Sequence, residues 1–391
     1  MGETFICPVC GNQDPRYIGH RNGSPYCRKC ISFRGEEAKK ESVRPKNAIL
    51  SLKYSLSAEQ KDISDQVVRN YRAGIDTLVY AVCGSGKTEI SFGIIGECVA
   101  KGLTVGFALP RRDVVVELYL RLKEAFPYNK VVAVYGGHTE EKTGDIIVLT
   151  THQLYRYPHF FDLLVMDEID AFPFKGNDAL ISMFRRSLRG HCVMMSATPS
   201  ETIRREFSGE GKAIVELNTR FHRRPIPVPE ILVRPLFLKY ITTLRKVAFY
   251  QKIKKPCFVF VPTIDLAGSL YRFLSLFLSG GNYVSSKRRR RAEIIEAFRK
   301  GKYSYLVTTA VLERGVTVKG IQVIVFAADS KIYDSAALIQ ISGRVGRKVG
   351  ATDGDVWFIC DKETPSMAKA IKTIKRSNSF LPRVLSKRSR Q

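Results

Sequence analysis

The chain has 391 residues, 45% hydrophobic and 26% charged. That is the make-up of a soluble globular protein with room for two or three domains, and it excludes a disordered or fibrous chain. Lys and Arg number 63 against 37 Asp and Glu, a formal net charge of +26, which points to a polyanionic partner, nucleic acid before an anionic membrane surface. Apolar runs such as Leu163 to Met166 and Cys257 to Val261 are strand-sized, too short to span a bilayer. The N-terminus lacks a basic region followed by an apolar run. The expectation is a cytoplasmic protein, peripheral at the inner face of the cell membrane.

The first element is a cysteine framework. Cys7-x2-Cys10 and Cys27-x2-Cys30 are separated by sixteen residues. Each pair sets two thiolates on one tight turn, and two such turns close a tetrahedron around Zn²⁺. The segment is polar and short, so metal binding would supply much of its folding free energy. His20 lies between the pairs and reads as a surface residue, because four cysteines fill the site. Arg16, Arg21, Arg28, Lys29 and Arg34 fit either a nucleic-acid contact or a docking surface for a protein. Cys83, Cys98, Cys192, Cys257 and Cys360 are scattered through apolar segments and read as ordinary buried thiols.

A charged stretch, Glu36 to Lys46, reads as a linker. From about residue 50, apolar strands alternate with amphipathic helices, the signature of a parallel α/β sheet. The predicted strands are Thr77 to Ala81, Thr104 to Ala108, Val131 to Val134, Asp145 to Thr150, Asp162 to Met166 and Cys192 to Met195. Prolines alternate in Arg220 to Pro229, which no helix or central strand tolerates, so a hinge is expected there. A second series follows, with strands at Cys257 to Val261, Tyr303 to Thr308, Gln322 to Ala327 and Val356 to Cys360. The basic tail from about Lys375 is expected to fray. The predicted division is 1–45 for the zinc module and linker, 46–222 for a first P-loop domain, and 223–391 for a second α/β domain with the tail.

Strand Thr77 to Ala81 runs into Val82-Cys83-Gly84-Ser85-Gly86-Lys87-Thr88, with a helix after it. This is a P-loop in the required strand–loop–helix context. Gly84, Ser85 and Gly86 let successive backbone N–H groups face phosphate oxygens, and the helix N-terminus adds its positive end. Lys87 is expected to reach the β- and γ-phosphates, and Thr88 to hold Mg²⁺. The first glycine of the general pattern is Ala81 here. About eighty residues on, the apolar strand Leu163 to Met166 ends in Asp167-Glu168-Ile169-Asp170. A carboxylate suits Mg²⁺, which takes oxygen ligands, so Asp167 is the second metal candidate. Glu168 is then placed to orient and deprotonate the attacking water.

These residues resemble superfamily 2 helicases. Asp167 to Asp170 is similar to the DExD motif, and the other motifs follow in order. Leu56 to Gln60 looks like the upstream motif in which a glutamine, here Gln60, reads adenine. Ala108 to Arg111, Gly136-Gly137 and Thr150 to Gln153 are similar to the strand-contacting motifs of the first domain. Ser196-Ala197-Thr198-Pro199 matches the motif that couples hydrolysis to domain movement. In the second domain Phe258 to Thr263, Thr308 to Gly315 and Gln340 to Arg347 complete the set. The resemblance spans residues 54–347. It implies two tandem RecA-like domains, parallel sheets flanked by helices, with the zinc module in front. It implies Asp170, Ser196, Thr198 and Gln340 as coupling residues, and Pro110, Arg111, Thr151, Thr263 and Thr308 as contacts to a nucleic-acid strand. Arg344 and Arg347 are implied as transition-state arginines that reach the γ-phosphate when the cleft between the domains closes.

Within the superfamily the chain resembles the ComFA family of competence ATPases. Three features carry this: the run Asp167 to Phe174, the fused four-cysteine module, and the compact size after Arg347. The replication-restart helicase PriA has similar motifs but places its cysteines within the second domain. The resemblance implies ATP, Mg²⁺ and structural Zn²⁺ as cofactors. Single-stranded DNA, cytosolic competence proteins and a membrane DNA channel are implied as partners. Thr317 stands where the DEAD-box branch has an aspartate, and the tetrad is DEID; both argue against RNA remodelling. No large insertion offers a strand-separating wedge, so translocation with weak or no unwinding is expected. The run Lys287 to Arg291 precedes an amphipathic helix and reads first as a solvated helix start, with a DNA grip as the alternative. Two rivals stand beside this reading: a general helicase of the PriA kind, and a zinc-bearing DNA-binding module with an ATP switch.

Overall fold

A computed structural model of the chain describes residues 5–31, 33, 35–40, 45, 49–52, 55–170, 176–285, 288, 290–309, 318–347, 350–351 and 353–381. It divides into two compact units, Met1–Ala81 with Gly86–Leu217, and Val82–Ser85 with Asn218–Gln391. Several expectations fall wholly or partly outside the described residues: Arg34, much of 41–46 in the expected linker, residues 171–174 after DEID, Lys287 and Arg289, residues 310–315 of the second-domain motif with Thr317, and the last ten residues.

The first unit opens with a hairpin of β1 (Ile18–Arg21) and β2 (Ser24–Cys27). Its turn is Asn22-Gly23, both at positive φ (49° and 79°), the chemistry a tight two-residue hairpin demands. A seven-stranded sheet follows: β3 (Asp76–Ala81), β4 (Val105–Leu109), β5 (Val131–Val134), β6 (Ile146–Thr150), β7 (Phe161–Asp167), β8 (Leu188–Ser196) and β9 (Lys212–Leu217). All neighbours are parallel, in the order β5-β6-β4-β7-β8-β3-β9. The central strands are buried on both faces, as helices on either side require, and read as continuous apolar runs. The order matters for the site. Strands β7, β8 and β3 are neighbours, so the segments leaving their carboxyl ends leave side by side.

The second unit holds a six-stranded parallel sheet of β10 (Glu230–Val233), β11 (Cys257–Phe260), β12 (Gly281–Val284), β13 (Tyr305–Thr308), β14 (Gln322–Phe326) and β15 (Val356–Cys360). Its order is β10-β15-β14-β11-β13-β12. The fold class is therefore two RecA-like domains with a four-cysteine segment at the front.

Every predicted strand is present, with ends shifted by up to four residues. Strands β9, β10 and β12 were not expected; they lie at or next to sheet edges, where short mixed sequences such as Lys-Ala-Ile-Val-Glu-Leu carry little periodic signal. No helix or strand occurs from Asn218 to Pro229, in keeping with the alternating prolines.

Two expectations are corrected. The basic tail does not fray at Lys375: a helix, Pro365–Ser379, runs through it. Its basic residues hide a stripe, Met367, Ala370 and Ile374, buried at helical spacing. Asn378 then closes the helix onto the backbone of Ile226, accepting from its N–H and donating to its carbonyl, both at 2.8 Å. Of the expected linker Glu36 to Lys46, residues 36–40 are held against the first unit. Glu36, Glu37 and Lys40 pair with Lys142, Arg186 and Asp162 of the first unit.

Ile374→Ala removes fully buried apolar volume and is expected to destabilise the second unit by about 2–4 kcal/mol. Urea unfolding followed by fluorescence of Trp357 would show the lower midpoint; an unchanged midpoint would mean that the helix does not belong to the core.

Candidate nucleotide and metal sites

The P-loop leaves β3 at Ala81. Gly84 (φ 85°) and Gly86 (φ 79°) adopt left-handed backbone, which lets the loop curl before the helix Lys87–Ile90. A second constraint acts on Gly86: a Cβ there would overlap the Gln60 side-chain amide. Gln60 is buried and belongs to the capping box that starts the helix Ala58–Arg72, its Oε1 accepting from Ser57 N at 2.9 Å. The structure thus seats this residue against the phosphate loop. Ser85 is fully buried, and Thr88, half-buried, opens the P-loop helix beside Lys87.

Across the sheet, β7 ends at Asp167. Lys87 Nζ lies 3.3 Å from Asp167 Oδ1, both side chains largely shielded from water. An ammonium and a carboxylate are therefore already held at the place where phosphate and Mg²⁺ charge would enter. The donor set is all oxygen, Thr88 and Asp167, which fits a hard divalent cation. Glu168 follows with φ 59°. Left-handed backbone at a non-glycine residue costs about 1–3 kcal/mol and turns the next side chain out of the strand's alternation. Glu168 N donates to Asp167 Oδ1 at 2.8 Å, which ties this backbone to the end of β7.

Asp170 is bound to the end of β8. Ser196 Oγ donates to Asp170 Oδ1 at 2.8 Å and Thr198 Oγ1 to Asp170 Oδ2 at 2.6 Å, while Thr198 N donates to Ser196 Oγ at 2.9 Å. Residues of two separate sequence motifs thus form one largely buried network.

In the second unit, Gln340 and Arg344 are buried and Arg347 is partly exposed, all in or just after the helix Ser335–Ser342. Sequence reasoning missed Arg220. It is 2% exposed and donates to the carbonyls of Gly343 (2.8 Å), Val345 (3.0 Å) and Gly346 (3.3 Å), which fixes the turn that carries Arg344 and Arg347. Burial pulls its pKa down to about 10; the group stays charged at neutral pH. Nothing in Arg-Phe-His-Arg-Arg separates it from Arg223 and Arg224, because only the fold buries one of the three.

The strand-contact candidates fare unevenly. Thr263 is exposed and caps the helix Ile264–Ser275, accepting from Leu266 N at 3.2 Å. Pro110 is buried, and Arg111 pairs with Asp113 at 2.7 Å. Thr151 and Thr308 are fully buried, so neither hydroxyl is offered to solvent; that of Thr308 donates to Thr309 O. The exposed member of the Thr151 turn is His152. In the basic run, Arg288 Nη1 donates to Asn282 Oδ1 and to Tyr283 O, and its guanidinium lies over the Tyr283 ring, so it is tied to β12.

Cys7, Cys10, Cys27 and Cys30 are all buried, with their sulfur atoms within 4.8 Å of one another. The Cys7–Cys30 and Cys10–Cys27 separations are both 3.7 Å. Zn–S bonds of about 2.3 Å in a tetrahedron require sulfurs about 3.8 Å apart; these two separations match that value, and the cluster as a whole fits zinc. His20 is exposed and outside the cluster. Burial pushes the Cys10 thiol up to about 11 and raises Cys30 as well.

Two family descriptions match the chain: DEAD/DEAH box helicase over residues 61–205 and helicase conserved C-terminal domain over 239–349. Among solved structures, yeast Dbp5 bound to RNA and ADP BeF3 superposes with a TM-score of 0.64 at 17% identity, over 84% of this chain and 93% of that one. RecG bound to a three-way DNA junction gives 0.60 at 20% identity, over 83% of this chain and 47% of that one. The fold and the paired P-loop and DEID segments define a helicase-like ATPase of superfamily 2. The competence protein ComFA of Bacillus subtilis is 32% identical over 98% of this chain and 87% of its own length; that of Streptococcus pneumoniae is 32% identical over 91% and 86%. The chain belongs to the ComFA family. No helix among the described residues is long and apolar enough to cross a membrane.

Metal binding must displace the protons that burial keeps on the Cys10 and Cys30 thiols. Zinc added to metal-free protein in weak buffer at pH 7 is expected to bind at one ion per chain with proton release, more weakly as pH falls, and not to bind stoichiometrically to Cys27→Ala. Equal binding by that variant would show that the cluster is not the site.

Proposed function

We propose that the protein is an ATP-driven translocase on single-stranded DNA that draws transforming DNA into the cell during natural competence. The observation that carries the motor reading is the shielded Lys87–Asp167 pair, with Glu168 beside it and Asp170 tied to Ser196 and Thr198. A binding module has no use for a hydrolytic set of this kind. Family membership supports competence as the setting.

In this reading Lys87 exchanges its carboxylate partner for the β- and γ-phosphate oxygens of ATP. Thr88 and Asp167 hold Mg²⁺, which when bound neutralises charge on the phosphates. Gln60 contacts the adenine while keeping the P-loop in shape. Glu168 orients the attacking water and takes its proton. Arg344 and Arg347 supply positive charge that stabilises the transition state. The Asp170–Ser196–Thr198 network passes the change at the phosphates to the segment after β8, and Gln340 acts in the same coupling from the second unit. Contacts to the strand fall mainly on phosphates, from the turns around Pro110, Arg111, Thr151, Thr263 and Thr308, and so are salt-sensitive and independent of sequence. Because Thr151 and Thr308 bury their hydroxyls, their turns contribute through backbone N–H groups and neighbours. The net charge of +26 supports polyanion binding. Residence at the inner face of the membrane, with cytosolic competence proteins and a DNA channel as partners, belongs to the same proposal.

Hydrolysis measured without nucleic acid, with single-stranded DNA, with duplex DNA and with RNA tests this. Stimulation by single-stranded DNA of about tenfold or more, with turnover lowered at least about a hundredfold by Glu168→Gln, is the expected result. Equal stimulation by duplex or RNA would point instead to a general helicase, and no hydrolysis in any condition would leave a binding module.

A further inference from the structure

The zinc segment is not an appendage of the first unit. Phe5, Val9, Phe33 and Ala38 pack with the four cysteines into one apolar cluster that continues through Leu149, Leu154, Tyr155, Tyr157 and Phe160. The chain leaves the second knuckle at once, Phe33 N donating to Cys30 O at 2.8 Å. The Phe33 ring then stacks on His152 (centroids 5.9 Å apart, planes at 27°) and lies 6.1 Å from the Tyr155 ring. Residues 35–40 run on as a strap along the short helix Thr151–Arg156, which begins with the turn already implicated in strand contact.

Arg156 is the common partner of strap and turn. Its Nη1 donates to Glu36 O at 2.9 Å, its carbonyl accepts from Ala38 N at 2.7 Å, and its Nε donates to Gln153 Oε1 at 2.7 Å. At this crossing Gly35 has φ +149°, a conformation that side-chain-bearing residues rarely adopt, and a Cβ there would also push the Arg156 guanidinium, 2.5 Å away, out of its place. The far end is fastened by Lys40, which donates to Phe160 O at 2.8 Å and pairs with Asp162 at 3.2 Å. The ion pairs of Glu36 and Glu37 are surface pairs, worth little singly. The stacked ring and the Arg156 hydrogen bonds therefore carry the register of the strap.

We propose that Phe33 and Arg156 are positioning residues for the Thr151–His152–Gln153 turn, and that metal binding at Cys7, Cys10, Cys27 and Cys30 thereby raises the affinity of the first unit for single-stranded DNA. The inference rests on the reading of this turn as a strand contact. The physical reason is entropic and steric. Four thiols without a metal do not hold the two knuckles closed, and Phe33 is three residues from the last ligand. Loosening that knuckle withdraws the ring that packs on His152 and releases the strap from Arg156, and with it Gln153. A turn that must be ordered on binding binds more weakly than one already ordered.

The test is a double-mutant cycle on DNA affinity, with metal removal as one arm and Phe33→Ala as the other. Binding of a fluorescent oligodeoxythymidine is followed by anisotropy for the full chain, zinc-loaded or stripped by chelator and checked by metal analysis. Hydrogen exchange of residues 151–157 is measured in the same samples. Stripping the metal is expected to weaken DNA binding about tenfold and to speed exchange in the turn. Phe33→Ala is expected to retain its zinc, weaken binding similarly, and respond little to stripping. Phe33→Tyr should restore the wild-type values. In DNA-stimulated hydrolysis the half-saturating DNA concentration should rise while kcat at saturation holds. Should Phe33→Ala fail to fold, Arg156→Lys, which keeps the charge but breaks the fork to Glu36 and Gln153, takes its place in the cycle. Additive effects of stripping and mutation, or stripped protein with unchanged affinity and exchange, would overturn the coupling while leaving DNA binding intact. No binding of the oligonucleotide by zinc-loaded wild-type protein would overturn both this inference and the reading of the turn.

Discussion

The ionic contact of Lys87 with Asp167 is the interaction on which the rest of the first unit turns. An ammonium and a carboxylate this shielded are costly to bring out of water separately, and breaking such a pair by removing one partner leaves a charge uncompensated. The fold meets this cost by strand order. Strands β7, β8 and β3 are parallel neighbours, so the DEID segment, the Ser-Ala-Thr segment and the P-loop emerge together. Each then constrains another: Gln60 limits Gly86, Asp167 holds Lys87, and Asp170 holds Ser196 and Thr198. The strained backbone at Glu168 belongs to this arrangement, its N–H held by Asp167 Oδ1.

The same economy governs the zinc segment. A polar piece of this size cannot bury enough apolar surface to be stable alone. It shares a core with the helix Thr151–Arg156, and its hairpin turn, its cysteine tetrad and its strap each fix the next. Under the proposed coupling, a metal held by the four cysteines would give the first unit a second input beside ATP.

Much of this was legible in the sequence, because the informative residues are ones whose chemistry forces a pattern. Gly84, Gly86 and Lys87 after an apolar strand, Asp167-Glu168 after another, and two Cys-x2-Cys pairs each imply their local geometry. Strand order is a different kind of fact: periodicity predicts that β3, β7 and β8 exist but says nothing of their adjacency, which appears only in the folded sheet. What was not legible depends on burial decided at long range. Arg220 looks like its neighbours and is singled out only by the carbonyls of Gly343 and Val345. Lys375 looks like a fraying tail until Met367, Ala370 and Ile374 are seen on one face. Glu36 to Lys40 reads as linker because its partners, Lys142, Arg156, Arg186 and Asp162, lie more than a hundred residues away. Thr151 and Thr308 show the converse: their motifs mark them as strand contacts, yet the fold buries both.

The central claim is that hydrolysis moves the protein along a single strand. The most direct measurement is stopped-flow fluorescence on single-stranded DNA of several lengths labelled at one end, with ATP and a trap for released protein. The account predicts a lag before the end signal that lengthens in proportion to strand length and vanishes with Glu168→Gln. A signal whose timing is independent of length, despite DNA-stimulated hydrolysis by the wild-type protein, would contradict it.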